Sequence, residues 1–64
     1  MTIKEIKESV NLGKKVYWSK KSYEVIKDKH NQYLILCVLN NDCIGLTWKD
    51  GTTLNGKESE FFTE

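Results

Sequence analysis

The side chains of this 64-residue chain that could do chemistry are one histidine, two cysteines and scattered acids. His30 stands in a polar stretch between Lys29 and Asn31, away from any candidate nucleophile. Acid-base and triad mechanisms need a second group that orients the base or exchanges its proton. We therefore expect no catalytic or metal-binding role for His30.

The two cysteines flank a predicted turn at Asn40-Asn41. With a two-residue loop there, Cys37 opposes Ile44 and Cys43 opposes Val38, so the two thiols point to opposite faces of a sheet. Their spacing is not a C-x-x-C pair, and a structural zinc site needs four ligands. We expect two buried, inert cysteines, no disulfide and no bound metal.

Phosphate-binding and hydrolytic motifs are missing from the sequence. The four glycines are well separated, and Gly56-Lys57 is followed by Glu58 where a P-loop has a hydroxyl residue. The acids fall in turns and in the tail, so no carboxylate pair at a glycosidase-like separation can be inferred. We predict a protein that is not an enzyme and has no cofactor.

One stretch of aromatic and basic residues fits nucleic-acid binding. Tyr17, Trp18, Lys20, Lys21 and Tyr23 lie on one predicted hairpin, where rings could stack on bases while lysines follow the phosphates. Alternatively, Trp18 and Tyr23 form a cross-strand core pair and the lysines keep the turn solvated. The chain has no arginine, the residue best suited to bidentate phosphate contacts, so nucleic-acid binding is the alternative prediction.

The elements that position these residues begin with a helix. Thr2 and Glu5 have the spacing of a capping box, in which each side chain accepts a bond from an unpaired amide at the helix start. Isoleucines and a valine follow at helical spacing, and Gly13 stands where a left-handed C-terminal cap would end the helix. The pattern predicts a helix from Ile3 to Leu12.

Short β-rich runs separated by polar turns follow, and no proline interrupts them. The predicted strands are Val16–Trp18, Tyr23–Lys27, Gln32–Leu39 and Cys43–Trp48, with a possible fifth at Thr52–Leu54. The predicted turns are Lys20-Lys21, Asp28–Asn31, Asn40-Asn41 and Asp50-Gly51. Phe61-Phe62 is an apolar pair that we expect to dock. This order predicts an α+β domain with a four- or five-stranded antiparallel meander.

Tight turns fix the register of such a meander and therefore its faces. They pair Val16 with Val25, Trp18 with Tyr23, Val25 with Leu34, Tyr23 with Leu36, Leu36 with Gly45, and Tyr33 with Trp48. One predicted face holds Val16, Trp18, Tyr23, Val25, Leu34, Leu36 and Val38. The opposite predicted face holds Tyr17, Ile26, Tyr33, Ile35, Cys37, Ile44, Leu46 and Trp48.

Both predicted faces are apolar, although a single short helix can cover only one of them. The sheet could curl into a small SH3-like barrel, helped by a bend at Gly45; it could pair with a second copy; or it could hold a ligand or a protein partner. We favour the barrel, with a homodimer next. The predicted partner-binding residues are Tyr17, Tyr33, Ile35, Ile44, Leu46 and Trp48.

Length and composition predict one small domain spanning residues 1–64 in a reducing cytosol. The hydrophobic share of 39% suffices for one core, and no apolar run is long enough to cross a membrane. Two cysteines are too few for a disulfide scaffold. Residues 1–32 carry eight lysines against four acids and residues 33–64 carry two against five. This polarity could guide an anionic partner, but scattered lysines more often serve solvation.

Several stretches resemble a group of small uncharacterised bacteriophage proteins. They are GKKVYW at 13–18, YEVIKD at 23–28 and, most specifically, CIGLTWKDGTTLNGKE at 43–58 followed by Phe61-Phe62. The resemblance implies a phage origin and a place in the host cytoplasm, and it brings no known activity or site residues. We therefore expect an interaction protein that binds a host or defence protein, a second copy, or a small ligand through an apolar sheet face.

Overall fold

The computed structural model describes all of residues 1–64 as one helix and one five-stranded antiparallel sheet. The elements are α1 (Ile3–Asn11), β1 (Val16–Trp18), β2 (Lys20–Lys27), β3 (Tyr33–Cys37), β4 (Cys43–Gly45), a 3₁₀ turn (Glu58–Glu60) and β5 (Phe61–Thr63). The predicted α+β meander is confirmed. The helix is too short to cross a bilayer.

Helix α1 starts and stops where the sequence predicts. The Thr2 hydroxyl accepts a bond from the Glu5 amide at 3.1 Å, and the Glu5 carboxylate accepts one from the Thr2 amide at 2.8 Å. Gly13 follows the helix with φ +81°, a left-handed conformation that glycine adopts without steric cost. Ile6 is fully buried against the sheet, so this one residue anchors the helix to the core.

The fifth strand lies elsewhere than predicted. Residues 52–54 form no strand, and Leu54 makes only an isolated bridge with Thr47. Instead, the fifth strand is β5, which pairs with β1 and places Phe62 opposite Tyr17. This pairing confirms that Phe61-Phe62 docks. The sheet order is β4-β3-β2-β1-β5. Its two edge strands do not meet, so the predicted SH3-like barrel is wrong.

The chain leaves the sheet after Gly45, which explains why β4 stops short of the predicted Trp48. A Cβ at Gly45 would lie 3.0 Å from the Thr47 carbonyl oxygen, so the chain turns back closely there. The Asn55 side-chain amide then donates to the Gly45 carbonyl at 2.8 Å. This bond holds the returning chain against the end of β4, and the strand does not curl round toward β5.

The register between β2 and β3 differs by one residue from the prediction. Val25 lies opposite Ile35, whereas the sequence had placed it opposite Leu34. A shift of one residue moves every side chain of a strand to the other face. Leu34 and Leu36 therefore exchange faces with Ile35 and Cys37.

The loop between β2 and β3 causes this shift. The Asp28 carboxylate accepts bonds from the amides of His30 and Gln32, at 2.8 Å and 2.9 Å. Asn31 adopts a left-handed conformation with φ +63°. A turn that ends in a left-handed residue makes a three-residue hairpin loop, one residue longer than the predicted one.

In the other two hairpins, the residues predicted to share a face within the hairpin still do so. Between β3 and β4 the register shifts by two residues, so Leu36 lies opposite Cys43 and β4 follows β3 to the other side. Ile44 and Leu46, predicted on the face of Tyr17, therefore lie on the core face. Between β1 and β2 the pair Val16 and Val25 is confirmed, but a bulge follows it and Trp18 lies opposite Lys20. The predicted Trp18–Tyr23 contact still forms, with ring centroids 5.3 Å apart.

The sheet thus has two apolar faces of different kinds. We call the side under α1 the core face and the other side the open face. The buried cluster on the core face consists of Ile6, Val16, Val25, Ile35, Leu46 and Phe61, and Met1, Val10 and Leu54 pack against it. The open face carries Tyr17, Glu24, Ile26, Leu34, Leu36, Cys43 and Phe62.

Candidate functional site

The open face is the candidate functional site because its apolar side chains lie outside the buried cluster under the helix, and all of them except Tyr17 keep accessible surface. One line of directly paired residues crosses all five strands in the order Phe62, Tyr17, Glu24, Leu36 and Cys43. Beside it, Ile26 on β2 pairs with Leu34 on β3. None of these residues contributes to the buried cluster or packs against it.

Side chains of the open face partly shield one another. The Tyr17 ring lies 5.5 Å from the Phe62 ring, centroid to centroid, and Tyr17 is only 6% exposed. Ile26, Leu34 and Leu36 are half-buried. The face is therefore an apolar surface that remains accessible in the single chain without being fully exposed.

Glu24 occupies the centre of this face. It lies on the middle strand of five, directly between Tyr17 on one side and Leu36 on the other. The residue is half-buried, and its carboxylate makes no hydrogen bond or ion pair. Its cross-strand neighbours are apolar, and on its own strand Ile26 lies on one side and Ser22 on the other.

The structure separates the six predicted partner-binding residues. Tyr17 lies on the open face. Ile35 and Leu46 are 2% and 1% exposed within the core cluster, so they offer no surface. Ile44 and Trp48 are 49% and 63% exposed but lie off the open face.

Tyr33, the sixth, lies on the core face beside the helix. Its hydroxyl donates to the Asn11 side-chain oxygen at 3.1 Å, and the Lys7 ammonium lies 5.2 Å from its ring centroid. The prediction placed Tyr33 and Tyr17 together because it assumed the wrong loop length. The same error left Leu34 and Leu36 out of the predicted partner-binding residues. With Val25 opposite Ile35, Leu34 pairs with Ile26 and Leu36 with Glu24 on the open face.

The predicted nucleic-acid residues do not form one stacking platform. The Tyr17 ring packs on Phe62, and the Trp18 ring packs on the core face against Tyr23 and Phe61. The Trp18 indole N–H donates to the Glu60 carboxylate at 3.3 Å. Lys20 and Lys21 are exposed, and the Lys20 ammonium lies over the Tyr23 ring at 5.6 Å.

Neither the histidine nor the cysteines build a reactive group. His30 is exposed, and both cysteines are free. Cys37 is half-buried and Cys43 is exposed, which corrects the prediction that both are buried. They do lie on opposite faces, as predicted. No group of three or more His, Cys, Asp or Glu side chains is placed to hold a metal ion.

A small apolar cavity of about 90 Å³ opens on the core face beyond the helix. Its walls are Trp18, Tyr23, Ile35, Cys37, Ile44 and Asp42. Pockets for small-molecule ligands usually measure about 300–1,000 Å³, so this cavity has room for little more than one side chain.

No protein-family model matches this chain, and searches among curated proteins and among solved structures found no match either. The phage origin therefore stays a prediction. Function has to be inferred from the geometry of the open face.

Proposed function

We propose that this chain is a small non-enzymatic interaction protein that binds another protein through its open face. The observation that carries the proposal is the single nine-residue helix, which covers only the core face of a five-stranded sheet. The opposite side keeps half-buried apolar side chains that the helix does not cover, and we infer that a partner covers them. The accessible apolar members of the open face are Ile26, Leu34, Leu36 and Phe62, and Tyr17, which is 6% exposed, supports the Phe62 ring.

The size of the face limits how tightly it alone can bind. Four strand spacings of about 4.8 Å and three residues of about 3.3 Å give a footprint on the order of 200 Å². A stable interface of standard size buries about 800 Å² per partner. We therefore expect reversible binding, or a partner that also covers neighbouring surface.

The resemblance to bacteriophage proteins supports a host or defence protein as the partner, met in the cytoplasm of the infected bacterium. A small ligand has less support because the only apolar cavity is about 90 Å³. Nucleic-acid binding also has less support, since Tyr17 and Trp18 pack on opposite faces.

Affinity capture with matched variants tests the proposal. The immobilised chain, Leu36→Ser and Ile26→Thr would each be exposed to lysate of a bacterial host. Leu39→Ser is the control, because Leu39 is largely exposed outside the strands of the sheet. We expect a protein that is retained by the wild type and by Leu39→Ser but is lost with both open-face variants, while circular dichroism shows all four chains folded. Equal retention by every folded variant would exclude the open face as the binding site.

A further inference from the structure

We propose that the partner of the open face presents one basic side chain, lysine or arginine, within an apolar surface, and that this cation pairs with Glu24. This inference rests on the proposed function and specifies the chemistry of the partner. It also predicts that two copies of this chain do not associate symmetrically through their open faces.

Glu24 lies between apolar residues of the open face. Its cross-strand neighbours are Tyr17 and Leu36, and Ile26 follows two residues along the same strand on the same face. Any partner that covers these apolar groups also covers the carboxylate between them. No group of this chain pairs with that carboxylate, so the cation has to come from the partner.

Binding of a partner would remove water from the Glu24 carboxylate. A carboxylate that loses water without gaining a partner opposes binding strongly. A lysine or arginine placed against it compensates for the lost water and selects that partner over an uncharged one. The face therefore discriminates between partners by one charge at its centre.

The same position argues against a second copy. A symmetric pair of chains uses the same patch on both copies, and its twofold axis passes through the middle of that patch. Because Glu24 lies at the middle, the two carboxylates would meet across the axis. Like charges in contact at an interface disfavour association.

Glu24→Lys supplies a probe with the proposed chemistry, since it presents a cation within the same apolar surface. Sedimentation equilibrium would compare the wild type, Glu24→Lys and their equimolar mixture. We expect each chain alone to remain monomeric and the mixture to form a 1:1 complex, with an association constant at least about tenfold above either chain alone. High salt should weaken the complex, because ion pairs are screened.

Two controls locate the contact. Glu8→Lys makes the same charge change at an exposed position on α1, and its mixture with wild type should stay monomeric. Glu24→Gln mixed with Glu24→Lys keeps the shape of the face and should lose the salt-sensitive part of the association. Circular dichroism would establish that every variant is folded before its association is compared.

The outcomes separate this inference from the proposed function. Glu24→Leu, which replaces the carboxylate with an apolar side chain, is measured in the same way. If Glu24→Leu associates but the mixture of wild type and Glu24→Lys does not, the inference about charge is overturned and an apolar binding face stands. If wild type alone associates as strongly as the mixture, the inference is likewise overturned. If neither Glu24→Leu nor the mixture associates at millimolar concentration, the inference about charge is overturned, and the affinity capture decides the proposed function.

Discussion

Gly56 matters because it lies against the indole of Trp18. A Cβ at this position would overlap the indole nitrogen. Trp18 cannot simply move aside, since its N–H donates to Glu60 and its ring contacts Tyr23 and Phe61. Glycine at 56 is therefore required by packing rather than by backbone conformation.

Replacing Gly56 with alanine should lower the free energy of unfolding by about 1–3 kcal/mol, the usual cost of forcing extra volume into a packed site. Urea denaturation followed by tryptophan fluorescence measures the change. Gly13→Asn is the matched control, because nothing lies near that position and asparagine tolerates its left-handed backbone. An unchanged midpoint for Gly56→Ala would mean that Trp18 is free to shift.

Asp50 organises the turn that precedes the isolated bridge between Thr47 and Leu54. Its carboxylate accepts a bond from the Thr53 hydroxyl at 2.6 Å and one from the Thr52 amide at 2.9 Å. These bonds favour the charged form and lower the pKa of Asp50 from 3.8 to about 2.

Because the folded pKa of Asp50 lies below its unfolded value, the carboxylate stabilises the fold above about pH 4 and loses this effect as the pH falls toward 2. We expect Asp50→Asn to flatten the dependence of unfolding on pH between about 4 and 2. Urea midpoints at several pH values measure the slope, and carbon-detected NMR titration gives the pKa directly. Equal slopes for both chains, or a pKa near 3.8, would contradict this account.

At the scale of elements, local signals were predictable and register was not. The capping box and Gly13 define the ends of α1 through contacts within a few residues, so the sequence was sufficient to predict the helix. The β2–β3 loop was misjudged by one residue, although Asp28 and Asn31 are the residue types that build the longer turn. That error exchanged the faces of β3, which is why half of the open face was missed.

The pairing of β5 with β1 lay beyond local signals altogether. Phe61-Phe62 was recognisable as an apolar pair, but nothing in its neighbours specifies β1 as its partner. Successive side chains of β5 point to opposite faces of the sheet, so Phe61 is buried in the core and Phe62 lies on the open face. The candidate site was therefore predictable at Tyr17 and Ile26 and unpredictable at Phe62.

Two neighbouring residues of β3 test the register. Ile35→Ala should destabilise the protein by about 2–5 kcal/mol, because it leaves a cavity in the core. Leu36→Ala should cost clearly less, since Leu36 is half-buried on the open face and its neighbours can relax toward water. Chemical denaturation of both variants gives the comparison. The reverse order of stability would restore the register predicted from sequence.

At the scale of the whole molecule, the two ends of the chain meet. The Met1 ammonium donates to the Glu58 carbonyl at 2.6 Å, just before β5. Phe61 then joins Ile6 of the helix in the buried cluster. The last strand thus links the helix and the first strand, which are neighbours in sequence, into one core.

Removing residues 61–64 should abolish cooperative unfolding. Loss of a buried phenylalanine costs about 3–5 kcal/mol, which approaches the total stability expected of so small a domain. Thermal unfolding followed by circular dichroism tests this. Removal of Glu64 alone is the control, and we expect it to leave a cooperative transition. A cooperative transition after the longer truncation would show that β1 to β4 and the helix suffice.

The bond from Asn55 to the carbonyl of Gly45 has a consequence for assembly. Growth of a fibril by strand addition requires every molecule to offer two free sheet borders, one to accept the next copy and one to pass the pairing on. Here the Asn55 side chain takes one outward carbonyl at the end of β4, whereas the backbone N–H and C=O of Cys43 on the same border have no partner. A strand added at β4 would have to displace the Asn55 bond, so this contact disfavours polymerisation along that border without blocking it.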